Sequence, residues 1–503
     1  MATTTVAAPT PVPRTPGEPG TPDTAEAPRR RPPRAVLLAT LLFTLVTALW
    51  TVAVPAFRAP DEAAHFDLIL YLAEGNGYPS YDGRFFGEQL DLDRDRHLVT
   101  ALEPWAPFDA DDAEPRSDRP SVDDTGVAPD DDIRREGDRS AGAPYVYNQM
   151  PQHPPVYYLA QATVLRFERW VLPGHWAPSL DRELGLLRLV DVLLVAPLPL
   201  LAWATVRRLG GSDRAGTVAS LLPLGVPQLS HIGAAVSNDA LLMLLGGILA
   251  VLLAGVARGR RSRRTDLAVG VVLGLALLTK AFAVMFVPWV AAAYGLAAWT
   301  ARRRQPLLDG LLAGTVGAVV GGWWWVLNWV REGEPAPTTE TLTRTAARRP
   351  RDFEPDRVDF LLRFPARLLN RTWAWVGHNT PKFTLPAWVV VALALAVLAA
   401  CVVAFVAARR GRDPGSGEAA GPRRVDLVLA WLPAVLLALF VARRSLGLYE
   451  TTGRVAFVQG RYLFGALVPP MAVVGLGVAR ALGRFAPLGT LAVAAALQVA
   501  VLT

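Results

Sequence analysis

Cysteine occurs once in 503 residues, at Cys401, and that residue sits inside an apolar run. An intrachain disulfide and a thiolate metal site are both excluded. Histidine occurs six times without a ligand spacing that demands a metal; the chemistry leaves room for a divalent cation, Mg or Mn, and requires none. Lysine occurs twice, at Lys280 and Lys382, while arginine is abundant. No Gly-rich phosphate loop and no tandem repeat is present, which argues against a soluble ATP or nucleotide-sugar domain. Polar residues are themselves scarce for a soluble chain: 52% of the residues are apolar and the mean hydropathy is +0.28. Such a sequence belongs in lipid.

A bilayer core of about 30 Å takes roughly 20 apolar helical residues to cross. Runs of this kind lie near 35–54, 184–206, 215–233, 237–257, 265–279, 281–300, 307–330, 385–407, 425–442, 462–479 and 486–503. The expected fold is an all-α polytopic transmembrane bundle of about 11 spans. The first run follows Arg29, Arg30, Arg31 and Arg34 and reads as a retained span. Residues 1–34 read as a disordered cytoplasmic tail and 35–503 as one transmembrane domain. Alternation of sides places Arg207, Arg208, Arg214, Arg258 to Arg264, Arg302 to Arg304, Arg409 to Arg424, Arg480 and Arg484 on the face of the N-terminus. The positive-inside rule makes that face cytoplasmic. The net charge of +7 is thereby assigned to orientation, and no nucleic-acid partner is expected. Arg443, Arg444, Arg454 and Arg461 break the rule, so either the span count is off by one or those arginines have another task.

This topology puts two long segments outside, 55–183 and 331–384. The first contains an Asp-rich stretch at 109–138 that reads as a solvated, flexible insert. At its start stands Pro60-Asp61-Glu62-Ala63-Ala64-His65. Pro60 suits a first helical turn, and helical spacing puts His65 within reach of both acids. The acids complement a helix dipole or abstract a proton; both readings fit the residues. At its far end, His153-Pro154-Pro155-Val156-Tyr157-Tyr158 opens an amphipathic helix reaching about Trp170, expected to lie on the outer interface. Arg188 and Asp191 share a face of the second span, as an ion pair or with Arg188 meeting a lipid phosphate. Ser237-Asn238-Asp239 reads as a helix cap, and Thr279-Lys280 as a turn with a snorkelling lysine. Arg444 and Gln459-Gly460-Arg461-Tyr462-Leu463-Phe464 supply forked donors suited to an anionic headgroup. The aromatic loop Trp373 to Asn379, with His378 and Lys382, packs on a sugar or anchors at the interface.

In this order, Pro60 to His65, His153 to Tyr158, Arg188, Ser237 to Ala240, Thr279-Lys280 and Gln459 to Phe464 resemble a bacterial membrane-protein family, domain of unknown function 2142. That family is similar to the GT-C superfamily of polytopic glycosyltransferases. The resemblance implies a GT-C-like helical fold with juxtamembrane helices in the first outer loop, in the bacterial plasma membrane. It implies transfer of a sugar from a polyprenyl-phosphate donor to a cell-envelope glycan or lipid acceptor on the outer face. Carried over, the catalytic set is Asp61, Glu62 and His65, with Asp61 activating the acceptor hydroxyl. His153, Tyr157, Arg188, Asp239, Lys280, Arg444, Arg461 and Tyr462 would bind substrate or the lipid phosphate. The competing readings are an envelope-lipid transporter or flippase and a non-catalytic envelope-assembly protein.

Overall fold

Helices dominate because the apolar runs leave backbone groups no partner in lipid except one another. The computed structural model describes residues 31–81, 148–172, 180–338, 353–376, 383–409 and 421–502. The N-terminal tail at 1–28, the acidic insert at 109–138, His378 and Lys382 lie outside the described residues.

Helix α1 (Arg34–Ala53) turns Val36, Ala39, Phe43, Thr47 and Trp50 inward at helical spacing and leaves Leu38, Leu41 and Leu45 exposed, as a lipid-facing helix does. Two juxtamembrane helices follow, α2 (Glu62–Ala73) and α3 (Val156–Val171). They share a core of Phe66, Leu68, Leu70, Tyr157, Tyr158 and Leu165. Arg166 caps α2 by donating to the carbonyls of Leu72 and Ala73 at 2.5 and 3.1 Å. The amphipathic helix expected from Val156 to about Trp170 is present, with Leu159, Phe167 and Trp170 exposed along one side.

The bundle continues through α4 (Leu180–Val195), α5 (Leu198–Arg208), α6 (Asp213–Leu221), α7 (Pro227–Gly233), α8 (Asn238–Ala257), α9 (Arg263–Leu277), α10 (Phe286–Ala301), α11 (Gln305–Gly317) and α12 (Trp323–Glu332). After α13 (Arg357–Trp373) and a two-stranded ribbon (β1, Trp375–Val376; β2, Phe383–Thr384) come α14 (Ala387–Ala407), α15 (Arg424–Thr452), α16 (Val468–Leu482) and α17 (Ala486–Leu502).

Among the described residues, eight helical segments are long and apolar enough to cross a membrane. The reading of about eleven spans differs at identifiable places. The run at 215–233 is broken into α6, a 3-10 turn and α7, with Pro223 and Pro227 interrupting the hydrogen-bond ladder. Helix α9 has 15 residues, short of a full crossing. Residues 468–502 form one long segment bent at Gly483.

The described residues from Pro33 onward fold as one unit. One end of its bundle is laced by arginine. Arg423 donates to the Ala257 carbonyl at 2.8 Å, Arg258 and Arg423 both hold Asp426, and Arg261 pairs with Asp309. Helix α8 runs from this end to the other, where Asn238 and Asp239 open it. At that opposite end the loop after α1, the turn before α8, the turn after α9 and the turn before α16 come together.

Candidate functional site

Each of those four connections contributes one charge. Ser237 is an extended N-cap whose hydroxyl accepts from the Asp239 amide, which sets Asp239 in the first turn of α8. Lys280 leaves α9 in an extended conformation, φ −156° and ψ 142°, and its Nζ lies 2.6 Å from Asp239 Oδ1. Arg461 opens the 3-10 turn Gly460–Ala466. Its guanidinium pairs with Asp61 and approaches Asp239 Oδ2 at 3.6 Å, while also donating to the Pro60 carbonyl at 3.3 Å. The result is an alternating row, Asp61, Arg461, Asp239, Lys280. Lys280 is 4% exposed, so it is buried against its carboxylate instead of snorkelling to water. Burial lowers its pKa, with Asp239 opposing that shift.

Close backbone contact holds the row together. A Cβ on Gly246 of α8 would collide with the Gly465 carbonyl, so glycine there lets the Arg461 turn lie directly on α8. Asp61 precedes α2 in the left-handed region, at φ 62° and ψ 8°. Phe57 and Phe457 also have positive φ, and both lie in the loops that carry Asp61 and Arg461. Left-handed backbone at a non-glycine residue costs on the order of 1–3 kcal/mol and persists where surrounding contacts impose it.

The left-handed turn separates the acids expected on one surface. Asp61 points to Arg461 and also receives Gln149 Nε2 at 3.3 Å. Glu62 points inward and is fully buried. Arg188 grips it with Nε at 2.7 Å and Nη2 at 2.5 Å, and Glu62 also accepts the amides of Phe57 and Val236 at 2.9 and 3.1 Å. Arg188 donates its remaining protons to the carbonyls of Thr51, Val54 and Pro55. Glu62 and Arg188 thus saturate each other. The pairing of Arg188 with Asp191 is replaced, because Asp191 accepts from Tyr157, Gln161 and the Ser237 amide at 2.7, 2.9 and 2.9 Å. Tyr157 is spent in that buried link.

His65 turns to Tyr158, whose hydroxyl is 2.9 Å from Nδ1, with the rings stacked. Burial lowers its pKa to about 3, so the imidazole is neutral. His153 is held by the Tyr78 hydroxyl, which donates to its carbonyl at 2.7 Å. Burial, with Lys280 nearby, lowers its pKa well below the ordinary value. Tyr462 lies beside both cations, with Lys280 and Arg461 at 5.9 and 5.5 Å from its ring centroid. Phe282 and Phe457 extend this wall, and Arg444 stacks on Phe457 at 4.3 Å.

Residues 43–469 match the family model described as predicted membrane protein (DUF2142), a stretch that contains every one of these side chains. The chain belongs to the DUF2142 family. No curated protein matches it in sequence. Among solved structures, it is similar to ArnT from Cupriavidus metallidurans bound to undecaprenyl phosphate: 14% identity, TM-score 0.47, covering 88% of this chain and 60% of that one. It is also similar to the Archaeoglobus fulgidus oligosaccharyltransferase tethered to an acceptor peptide: 11% identity, TM-score 0.43, covering 92% of this chain and 55% of that one. The chain therefore spans less than two thirds of either structure.

Within this DUF2142 chain, Asp61, Asp239, Lys280, Arg461 and Tyr462 come together, with His65 and His153 beside them. Arg444 is one aromatic ring away, while Glu62, Arg188 and Tyr157 serve buried links behind the row. Sequence reasoning missed Tyr158 and Asn238 as site residues; Asn238 Nδ2 bridges the Tyr158 hydroxyl and the Thr279 carbonyl, both at 3.4 Å. Their signal was the motif in which each stood, read as anchor and as cap. Three buried polar atoms here have no partner among the described residues: His153 Nδ1, Asn238 Oδ1 and Arg461 Nε. Such atoms are rare in native interiors and call for a partner, as a substrate or ordered water would provide. Among the described residues, no group of three or more His, Cys, Asp or Glu side chains is arranged to hold a metal ion.

Proposed function

We propose that this protein is a membrane glycosyltransferase that moves a sugar from a polyprenyl-phosphate donor to a cell-envelope acceptor at the outer face of the plasma membrane. The observation that carries the reading is the Asp61–Arg461–Asp239–Lys280 row, bordered by three unpartnered polar atoms. Two cations held by two acids form a charge-balanced resting site. A lipid phosphate entering it competes for Arg461 and Lys280, and each carboxylate gives up part of its partner. Asp61, the more open of the two acids, is then placed to take the acceptor proton.

In the step we envisage, the acceptor oxygen attacks the anomeric carbon while its proton passes to Asp61. The bond from that carbon to the phosphate oxygen breaks, and the electron pair leaves with the polyprenyl phosphate. Arg461 and Lys280 receive that charge in a site where neutral His65 and His153 add none. Phe282, Phe457 and Tyr462 supply an apolar, sugar-stacking wall.

Replacement Asp61→Asn keeps the shape and removes the base. Envelope glycan examined by mass spectrometry should lose one sugar in cells carrying the variant, at unchanged protein level. Glycan identical to wild type would overturn the assignment.

A further inference from the structure

Helix α13 carries two apolar faces. Phe360, Phe364 and Leu368 pack on Tyr449, Val455 and Val458. On the other side Val358, Leu361, Leu362 and Leu369 are 42–71% exposed at helical spacing, with Pro365 exposed between them. Arg357 and Arg363 flank the stripe. Its downstream neighbour α14 is a lipid-length span that exposes Trp388, Val391 and Leu395. An apolar stripe edged by arginine, continuous in chain with a lipid-facing span and its leading tryptophan, has the pattern of a helix seated in a headgroup layer.

The inward side of α13 reaches the site. Arg367 donates to the Val455 carbonyl at 2.8 Å and Arg371 to the Val458 carbonyl at 2.7 Å. Gly460 rests against the backbone of Arg371 and Thr372 so closely that a Cβ there would collide. Arg371 is braced in turn by the Trp375 ring at 4.1 Å. Phe457, with its positive φ, and Arg461 both belong to the segment so clamped.

We infer that α13 docks on the lipid surface through Val358, Leu361, Leu362 and Leu369, and that Arg367 and Arg371 transmit this seating to the loop that positions Arg461. Bilayer contact is then part of what orders the cation side of the site. The importance of Arg461 rests on the function proposed above; the docking and the clamp do not, and neither readout below requires turnover.

The test uses the full chain in nanodiscs of phosphatidylethanolamine and phosphatidylglycerol. With Cys401→Ser as background, nitroxide labels are placed by Leu362→Cys, Leu369→Cys and Glu354→Cys. Labels at 362 and 369 should relax faster with oxygen than with a water-soluble nickel chelate, and the label at 354 should show the reverse. Labels at 362 and 369 that meet the chelate, or that meet neither reagent because protein covers them, overturn the docking. In the second arm, Leu361→Gln/Leu362→Gln/Leu369→Gln should speed amide exchange at residues 455–461 about tenfold while α8 is unaffected. Unchanged exchange at 455–461, or acceleration shared equally by α8, overturns the coupling.

Discussion

Asp61 and Glu62 are neighbours with the same functional group, and the backbone gives them different work. A left-handed residue at Asp61 aims one carboxylate at Arg461, and the helix that starts next aims the other at Arg188. Removing one partner of the Glu62–Arg188 pair leaves a buried charge alone, so Arg188→Ala should destabilise the protein by about 3–5 kcal/mol. Thermal unfolding in detergent checks this. Arg461 bridges two carboxylates with a planar fork that an ammonium cannot reproduce. Arg461→Gln should lower transfer about 10²- to 10³-fold, and Arg461→Lys should recover little of it, as initial rates would show. His65 titrates near 3 in the folded chain against an ordinary 6.5. The unfolded chain takes up that proton first as pH falls, so the stability His65 contributes is whole above about 6.5 and lost from there toward 3. Transfer should show no inflection near 6.5 that His65→Phe removes, and a pH–rate profile with and without that substitution would reveal one.

At the scale of elements, connections matter more than spans. The motifs of the candidate site were legible because Ser237-Asn238-Asp239, Thr279-Lys280 and Gln459-Gly460-Arg461 stand at breaks between apolar runs, where polar residues have to be explained. Their pairing was not legible: Asp239 and Lys280, or Asp61 and Arg461, meet only through the packing of distant helices. The helix breaks at Pro223 and Pro227 were visible as residues, yet hydropathy alone smoothed them into a span. Gly246 shows how packing sets the site. Gly246→Ala should push the 460–466 turn off α8 and reduce transfer as strongly as loss of Arg461, while α1 to α3 stay folded; amide exchange by segment would separate local from global loosening.

Taken as a whole, the molecule has a basic end and a site end. The function proposed above requires the basic end to face the cytoplasm, in line with the positive-inside rule, and the Asp61 row to face outward. Two of the four arginines that break the rule have local partners: Arg461 holds carboxylates and Arg444 stacks on Phe457. In a Cys401→Ser background, Gly77→Cys should react with an impermeant maleimide from the outside of intact cells and Arg302→Cys should not. Release of the leaving group tests the proposed role of Asp61 most directly. Membranes holding wild-type protein or Asp61→Asn can be supplied with polyprenyl-phosphate sugars and an envelope extract, and free polyprenyl phosphate measured over time. Wild-type membranes should release it with transfer of the sugar, and the variant should not; equal release from both would contradict the account.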